Sequence, residues 1–101
     1  MEENKTYFIM TATVNKEHME EVQSYLANVM PIFAKHGGMS FGRFKVTEQL
    51  VGENGPEMIG IIEFPSADAA KEMLKSEDFM ALAESRKKVF RTVDVMLSSK
   101  I

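Results

Sequence analysis

Four stretches of the chain are rich in β-branched, aromatic and other apolar residues, a pattern typical of β-strands. They are predicted at residues 7–14, 39–50, 58–64 and 90–97. The second stretch is long for a strand, and we expect it to bend or bulge near Gly42, because glycine weakens regular strand pairing. The turn at residues 51–56, with Asn54-Gly55 as its strongest signal, makes the second and third strands antiparallel neighbours.

The segment after the first strand places apolar residues three and four positions apart, which predicts an amphipathic helix running to about residue 36. The apolar stripe consists of Met19, Val22, Leu26, Val29 and Phe33. Asn15 is a suitable N-cap, and Gly37-Gly38 supplies a left-handed end. Because Pro31 lacks an amide hydrogen and clashes with the preceding turn, we expect the helix to kink or to restart there.

A second helical segment follows the third strand. Ser66 is predicted to cap it, and Ser76 to cap a restart that continues to about residue 88. The element order is therefore βαββαβ, in which two split right-handed βαβ units place the strands in the order 4-1-3-2. We predict a single α+β domain over residues 1–101, a ferredoxin-like sandwich with a four-stranded antiparallel sheet and both helices on one face.

Both faces of this sheet are expected to carry apolar side chains. In the first strand, Tyr7 and Ile9 lie on the side opposite to Phe8. In the third strand, Ile59 and Ile61 lie on that same second side. Two helices can cover only one face, and a monomer would leave an apolar patch of roughly several hundred Å² exposed. A second copy related by a two-fold axis would cover this patch with the same patch of its own, so we expect a homodimer with facing sheets.

The composition narrows the functional classes. The chain of 101 residues has 12 Lys and Arg against 15 Asp and Glu, a formal net charge of -3, which argues against nucleic-acid binding by phosphate neutralisation. It contains no cysteine, which removes disulfides, thiolate metal sites and cysteine nucleophiles. The apolar stretch at residues 7–14 is too short for a bilayer, which needs ~20 residues, and the amino end is acidic. No membrane partner and a cytoplasmic location are expected.

Several short runs together resemble a known family. They are Tyr7-Phe8-Ile9, His36-Gly37-Gly38, Ile62-Glu63-Phe64-Pro65-Ser66, Ser76-Glu77-Asp78-Phe79, Leu82 and Arg86. In this order and spacing the chain resembles, over nearly its whole length, an uncharacterised bacterial family (a domain of unknown function) within the dimeric α+β barrel superfamily. The resemblance implies a ferredoxin-like protomer and a sheet-to-sheet dimer, and it implies no agreed activity. One departure is at Arg43, which is followed by Phe44-Lys45 where similar members often carry glycines.

Relatives in that superfamily include cofactor-free quinone monooxygenases, muconolactone isomerases, haem-degrading enzymes and haem-dependent peroxidases, and a shared fold does not choose among them. Haem-degrading relatives use an Asn, a Trp and a His together, and this chain has no Trp. No cofactor is expected. His18 and His36 are dispersed along the sequence, which argues against a metal site.

Three residues are candidates for catalysis. Arg43, on an apolar strand, could hold a carboxylate or enolate in bidentate fashion; the alternative is an Arg at the sheet edge, or one paired with Glu48 or Glu63. Glu63 ends an apolar strand, where a carboxylate could act as general base, or could form a salt bridge or bond to the neighbouring helix N-terminus. His36 could move a proton, or could interact as a cation with the helix C-terminus.

Tyr7, Thr11 and Phe41 are the candidate ligand-binding residues. Tyr7 and Thr11 share one face of the central strand and could offer hydroxyls to a ligand or bond within the core, while Phe41 lies on the same strand as Arg43. These observations favour a small homodimer that handles a small apolar or anionic molecule, with cofactor-free monooxygenase- or isomerase-like chemistry as one hypothesis. The alternative hypothesis is a non-catalytic ligand-binding or structural dimer module.

Overall fold

The computed structural model describes residues 5–101 of the chain. Its strands are β1 (Thr6–Val14), β2 (Met39–Lys45), β3 (Met58–Phe64) and β4 (Phe90–Ser98). A 3-10 helix leads from β1 into the long helix; the two are Lys16–Glu21 and α1 (Val22–Lys35). Three short helices join β3 to β4, and they are α2 (Ala67–Lys75), α3 (Glu77–Met80) and α4 (Ala83–Val89).

The four strands form one antiparallel sheet in the order β2-β3-β1-β4. This is the predicted order 4-1-3-2, and the α+β ferredoxin-like fold is confirmed. Phe8 of β1 lies directly opposite Ile62 of β3 and Leu97 of β4. These apolar side chains lie on the face of the sheet that carries the helices, where they pack in or against the core.

The core lies between this face and the helices, and its buried residues come from every strand except β2. The rings of Phe8, Phe33 and Phe64 pack against one another with centroids 5.4 to 6.4 Å apart. Tyr25 is also fully buried, and its hydroxyl accepts a hydrogen bond from Nη1 of Arg86 at 3.0 Å. A buried phenol needs such a partner, because an unpaired hydroxyl in the core would be destabilising.

Strand β2 is shorter than predicted. The expected bulge is present: Ser40 and Gly42 lie opposite consecutive residues of β3, so that Phe41 is the extra residue. The strand ends at Lys45 rather than at residue 50. One further bond, from the N–H of Val46 to the carbonyl of Glu57 at 2.8 Å, follows the last pair, whereas the N–H of Glu57 donates to Ala12 of β1 instead.

The first helical segment is interrupted at a different place from the one expected. The side-chain oxygen of Asn15 accepts a hydrogen bond from the N–H of Glu17 at 3.1 Å and caps the 3-10 helix, in which His18 has non-helical angles. α1 begins after it and continues through Pro31, so the restart expected at Pro31 is wrong. Pro31 and Ala27, whose carbonyl loses its helical partner, both lie on the exposed side of α1, where water can replace the missing bond.

The end of α1 is formed as predicted. Gly37 has a φ of 87°, and the N–H groups of Gly37 and Gly38 donate to the carbonyls of Ala34 and Phe33 at 3.0 and 2.8 Å. This is a left-handed helix end that satisfies free carbonyls. A Cβ on Gly38 would lie 2.8 Å from the carbonyl oxygen of Phe33 and 2.9 Å from Cγ2 of Ile62. The chain therefore packs closely against β3 where α1 ends.

Two serines cap the second helical segment, as predicted. Oγ of Ser66 accepts a hydrogen bond from the N–H of Ala69 at 3.1 Å. Oγ of Ser76 accepts from the N–H of Phe79 at 3.2 Å and donates to the carbonyl of Met73 at 2.7 Å. One hydroxyl thus serves both the end of α2 and the start of α3.

The restart after Ser76 does not continue as a single helix to residue 88. α3 ends at Met80 and α4 begins at Ala83. Between them the N–H of Leu82 donates to the carbonyl of Phe79 at 3.1 Å, a bond to the third preceding residue that tightens the chain and breaks the α-helical ladder. Within residues 5–101, none of the helices is both long enough and apolar enough to cross a membrane.

Candidate functional site

The edge strand β2 is left uncovered on the side of the sheet that carries the helices. Every residue of β2 except Gly42 is exposed, because the helices pack over the neighbouring strands. On this side Arg43 lies directly opposite Gly60 of β3, which in turn lies opposite Met10 of β1. Because the bulge leaves Phe41 without a partner in β3, Arg43 lies on the helix-facing side; pairing every residue of β2 from Met39 onward would turn it to the other side.

Gly60 leaves open space in the middle of β3. A Cβ at this position would meet no heavy atom within 4 Å beyond its chain neighbours. A glycine inside a strand is typical of a place where another group approaches the backbone closely. The space in front of Gly60 is lined by Met10, Leu26, Met30 and Arg43. The space measures about 20 Å³, which is room for about one water molecule or one methyl group in front of the backbone.

A larger cleft between α1 and β2 shares Leu26, Met58 and Arg43 with this space. Its volume is about 570 Å³, which is within the range of about 300–1,000 Å³ for small-molecule sites. Val22, Leu26 and Met58 give it an apolar wall. Its polar lining residues are Lys16, Gln23, Arg43, Lys45 and Glu57. We call these two neighbouring spaces, which share three lining residues, the Arg43 cleft.

Positive charge predominates in the Arg43 cleft. Lys16, Arg43 and Lys45 line it, and none of them forms an ion pair within residues 5–101. Among residues 5–101, the one carboxylate in the lining is that of Glu57, whose Oε1 accepts a hydrogen bond from the N–H of Val14 at 2.7 Å. An anionic group entering the cleft would therefore meet unpaired cations beside an apolar wall.

The 3-10 helix that supplies Lys16 to the cleft is attached to α4 through Glu21. Oε2 of Glu21 lies 2.7 Å from Nδ1 of His18, and Oε1 lies 3.2 Å from Nζ of Lys88. The hydrogen bonds from His18 and then Lys88 lower the pKa of Glu21 below its ordinary value, because they stabilise the ionised carboxylate. The 3-10 helix that carries Lys16 is thus joined to α4 by an exposed ionic contact that weakens in acid.

Most other candidate residues lie on the face of the sheet turned away from the helices, which we call the open face. Tyr7 lies opposite Glu63, and Thr11 follows on the same side of β1. The ring of Tyr7 packs edge-to-face on Phe41 with centroids 5.7 Å apart. Oε2 of Glu63 lies 3.5 Å from Nζ of Lys5, so the salt bridge considered for Glu63 is present.

The sheet separates the three residues predicted to be catalytic. Arg43 faces the helices and Glu63 is on the open face, so within one protomer the two cannot act on the same molecule. His36 is half-buried at the C-cap of α1 and is not part of the lining of the Arg43 cleft. Among residues 5–101, no three His, Cys, Asp or Glu side chains are grouped so as to hold a metal ion.

Four residues to which we assign a part in the cleft escaped prediction from the sequence, and they are Lys16, Lys45, Glu57 and Gly60. Gly60 interrupts the apolar run of β3, and a glycine inside a strand is the signal that could have marked a close approach there. Glu57 precedes the same strand, and its contact with Val14 spans 43 positions of the sequence. No local pattern marks such a contact.

The sheet order, the helices on one face and the cleft beside Arg43 define an α+β ferredoxin-like protein with a cleft of small-molecule size. The chain belongs to the family described as a domain of unknown function, DUF1330, whose sequence profile matches residues 5–99. The resemblance to an uncharacterised family is confirmed. No curated protein shows significant similarity to the sequence.

Solved structures share this fold at low sequence identity. A protein of unknown function from Rhodopseudomonas palustris is 16% identical with a TM-score of 0.81, over 98% of this chain and 84% of that one. A protein from Pseudomonas aeruginosa is 16% identical with a TM-score of 0.73, over 100% and 98% of the two chains. SnoaB, a cofactor-independent oxygenase from Streptomyces nogalater, is 19% identical with a TM-score of 0.71, over 97% and 94%. Such similarity establishes the fold.

Proposed function

We propose that the protein is a homodimer that binds a small apolar molecule carrying an anionic group in the Arg43 cleft. The observation that carries this proposal is the position of Arg43, without an ion pair in residues 5–101, opposite the open space at Gly60. A guanidinium can hold a carboxylate or enolate through two parallel hydrogen bonds. The apolar side chains of α1 would then receive the rest of the molecule.

Arg43 is exposed on the edge strand β2, as one alternative expected, but the two carboxylates considered as its partners do not pair with it. Glu63 lies on the other face of the sheet and is paired with Lys5. Glu48 is exposed and forms no ion pair with Arg43. An arginine required only for the fold would be expected to use such a carboxylate. SnoaB, which shares the fold, is a cofactor-independent oxygenase, and this supports a small-molecule role for the cleft.

The open face supports the homodimer. Met39, Phe41 and Phe44 of β2 are 67%, 61% and 53% exposed, and Ile9 and Ile59 on the adjacent strands are only half-buried. A second copy related by a two-fold axis would cover this set with the same set. The dimer is expected to bury at least ~800 Å² per partner. The ligand cleft and the interface then lie on opposite faces of one sheet.

Calorimetric titration with 4-phenylbutanoate and its neutral analogue 4-phenylbutanol tests the binding proposal. The wild-type protein should prefer the acid, and Arg43→Met should lower its affinity for the acid about ten- to a hundredfold, because a charge-assisted bidentate contact contributes ~1.5–3 kcal/mol. Methionine keeps much of the apolar stem, so packing should change little. Arg43→Lys separates the two parts of the contact, since lysine restores the charge without the planar fork.

Arg91→Met is the matched control, because Arg91 is exposed on β4 at the opposite edge of the sheet. It should leave the preference for the acid unchanged. Equal wild-type affinities for acid and alcohol would contradict the proposal. So would an Arg43→Met variant that loses thermal stability while keeping the preference.

The dimer is tested by placing a charge at the centre of the open face. Ile61→Asp in β3 should give a folded monomer by light scattering and circular dichroism, because a carboxylate cannot be buried there without a partner. Leu50→Asp is the control, since Leu50 is 83% exposed in the loop between β2 and β3, and it should remain a dimer. A monomeric wild-type protein at micromolar concentration would contradict the proposal.

A further inference from the structure

We infer that Glu57 is a general base in the Arg43 cleft and removes a proton from a carbon next to a carbonyl group of the bound molecule. This inference rests on the proposed function, because Arg43 must hold that molecule. The reaction inferred for the cleft is thus enolisation, and the ligand class inferred is an apolar 2-oxo acid.

The two cations of β2 fit the head group of a 2-oxo acid. Arg43 and Lys45 lie opposite Gly60 and Met58, so both face the helices. Residues two apart on one side of a strand are about 7 Å apart, a spacing that two long side chains can close. The guanidinium would hold the carboxylate, and the ammonium group would stabilise the adjacent carbonyl oxygen as it gains negative charge.

Glu57 lines the same cleft as these cations and is held in a fixed position. Its N–H donates to the carbonyl of Ala12 at 2.9 Å, and its carbonyl accepts from the N–H of Val46 at 2.8 Å. Its Oε1 accepts from the N–H of Val14 at 2.7 Å. Three contacts from two flanking segments fix both the backbone and the carboxylate plane. A base must be oriented in this way to act on a bound C–H group.

The second carboxylate oxygen of Glu57 is free to react. Within residues 5–101, Oε2 has no hydrogen-bond or ion-pair partner. Glu57 is half-buried, and its carboxylate is the one acidic group in the lining of the cleft. It is therefore placed to accept a proton from a molecule that Arg43 and Lys45 hold.

The reaction balances with the residues of the cleft alone. The C–H bond at C3 of the 2-oxo acid breaks, and its proton forms an O–H bond with Oε2 of Glu57. The electron pair of the broken bond forms the C2–C3 double bond, and the carbonyl pair moves to the oxygen near Lys45. Return of the proton to C3 completes exchange, whereas return to another carbon of a conjugated substrate completes an isomerisation. Neither outcome needs an oxidant or reductant.

A purely structural role for Glu57 makes a different forecast. Its bond to Val14 extends the attachment of β1 beyond the last register pair of β1 with β3, which is Ala12 with Met58. Glu57→Gln keeps an acceptor oxygen for the N–H of Val14 and removes the basic oxygen. A structural role predicts that this variant behaves as wild type, while a catalytic role predicts that proton transfer is lost.

The experiment follows hydrogen–deuterium exchange at C3 of 4-phenyl-2-oxobutanoate in deuterated buffer by NMR, with binding of the same compound measured by calorimetry. The wild-type protein should accelerate exchange over buffer. Glu57→Gln should lower the rate at saturating compound by at least about a hundredfold, the size of a general-base contribution, and should bind within about twofold of wild type. Glu53→Gln, at an exposed site in the β2–β3 loop, should behave as wild type.

The outcomes separate this inference from the proposed function. Exchange by Glu57→Gln at the wild-type rate would overturn the assignment of the base and leave binding intact. Binding of the compound by wild type without any acceleration of exchange would also overturn it. Failure of the wild-type protein to bind the compound, or binding that Arg43→Met leaves unchanged, would refute the proposed function and the inference together.

Discussion

Replacing Gly60 by alanine should stabilise the protein and weaken ligand binding at the same time. Gly60 is not among the glycines with positive φ, so alanine can adopt its backbone conformation. The added Cβ would meet open space and would project into the Arg43 cleft beside Arg43. The methyl group would therefore raise the stability of the free protein and lower its affinity for a ligand, because it would occupy volume that we assign to the ligand.

The expected sizes follow from the geometry. Glycine inside a strand is less favourable than alanine by roughly 0.5–1 kcal/mol, because the unfolded chain loses more freedom at glycine on folding. The methyl group gains little burial in open space, so we expect about 1 kcal/mol in the free energy of unfolding and a melting temperature about 4–8 °C higher. Crowding the ligand by one methyl group should cost ~1–3 kcal/mol, which is roughly a five- to hundredfold loss of affinity.

Scanning calorimetry and titration with 4-phenylbutanoate measure both effects on the same preparations. Gly38→Ala is the matched control, because a Cβ there would lie 2.8 Å from the carbonyl oxygen of Phe33. That variant should melt at a lower temperature, since neither backbone nor Ile62 can move away without strain. The same substitution at two glycines thus distinguishes open space from close packing.

A lower melting temperature for Gly60→Ala would show that side chains fill the space in solution. An unchanged affinity would show that the ligand does not approach β3. Either result would refute the account of the Arg43 cleft given above, and the first would also remove the observation on which the proposed function rests.

Two further predictions concern the helices. Ser76→Ala should lower the free energy of unfolding by about 1–2 kcal/mol, because one hydroxyl caps both α2 and α3; urea denaturation measures this, and a loss no larger than that of the exposed Ser99→Ala would contradict it. Glu21→Gln should be less stable than wild type near neutral pH and equal to it in acid. The lowered pKa of Glu21 stabilises the folded state above the ordinary carboxyl range, and this stability is lost as pH falls through the folded pKa. A difference that stays constant from about pH 7 to about pH 3 would contradict this.

The parts of the fold that depend on local signals were predictable from the sequence. The bounds of β3, the caps at Ser66 and Ser76 and the end of α1 at Gly37 follow from residue types next to one another in the chain. The end of β2 at Lys45 was not predictable in this way, because the β-branched residues Val46 and Thr47 that follow it are equally suited to a strand. The course of α1 through Pro31 depends on which side of the helix meets water.

Local sequence patterns predicted even less of the candidate site. Arg43 was predicted from its apolar strand as a candidate catalytic residue that could hold an anion, but the face of the sheet on which it lies was not predicted. Regular alternation from Met39 would put Arg43 on the open face with Phe41, whereas the extra residue at the bulge puts it beside α1. Glu57 and Gly60 acquire their roles only through neighbours that the fold brings close. Regular alternation along β2 predicts on which face of the sheet each side chain lies. The bulge at Phe41 reverses that assignment for the residues after it, including Arg43.

The bulge in β2 determines what the loss of a single codon at this point would change in the protein. Because Ser40 and Gly42 lie opposite consecutive residues of β3, loss of the Phe41 codon would leave a regular strand in which Arg43 still faces Gly60. The deletion would remove one exposed aromatic ring, which touches Tyr7 on the other face. A one-codon gain or loss at this point would therefore change the open face, which is the proposed dimer interface, and would keep Arg43 opposite Gly60.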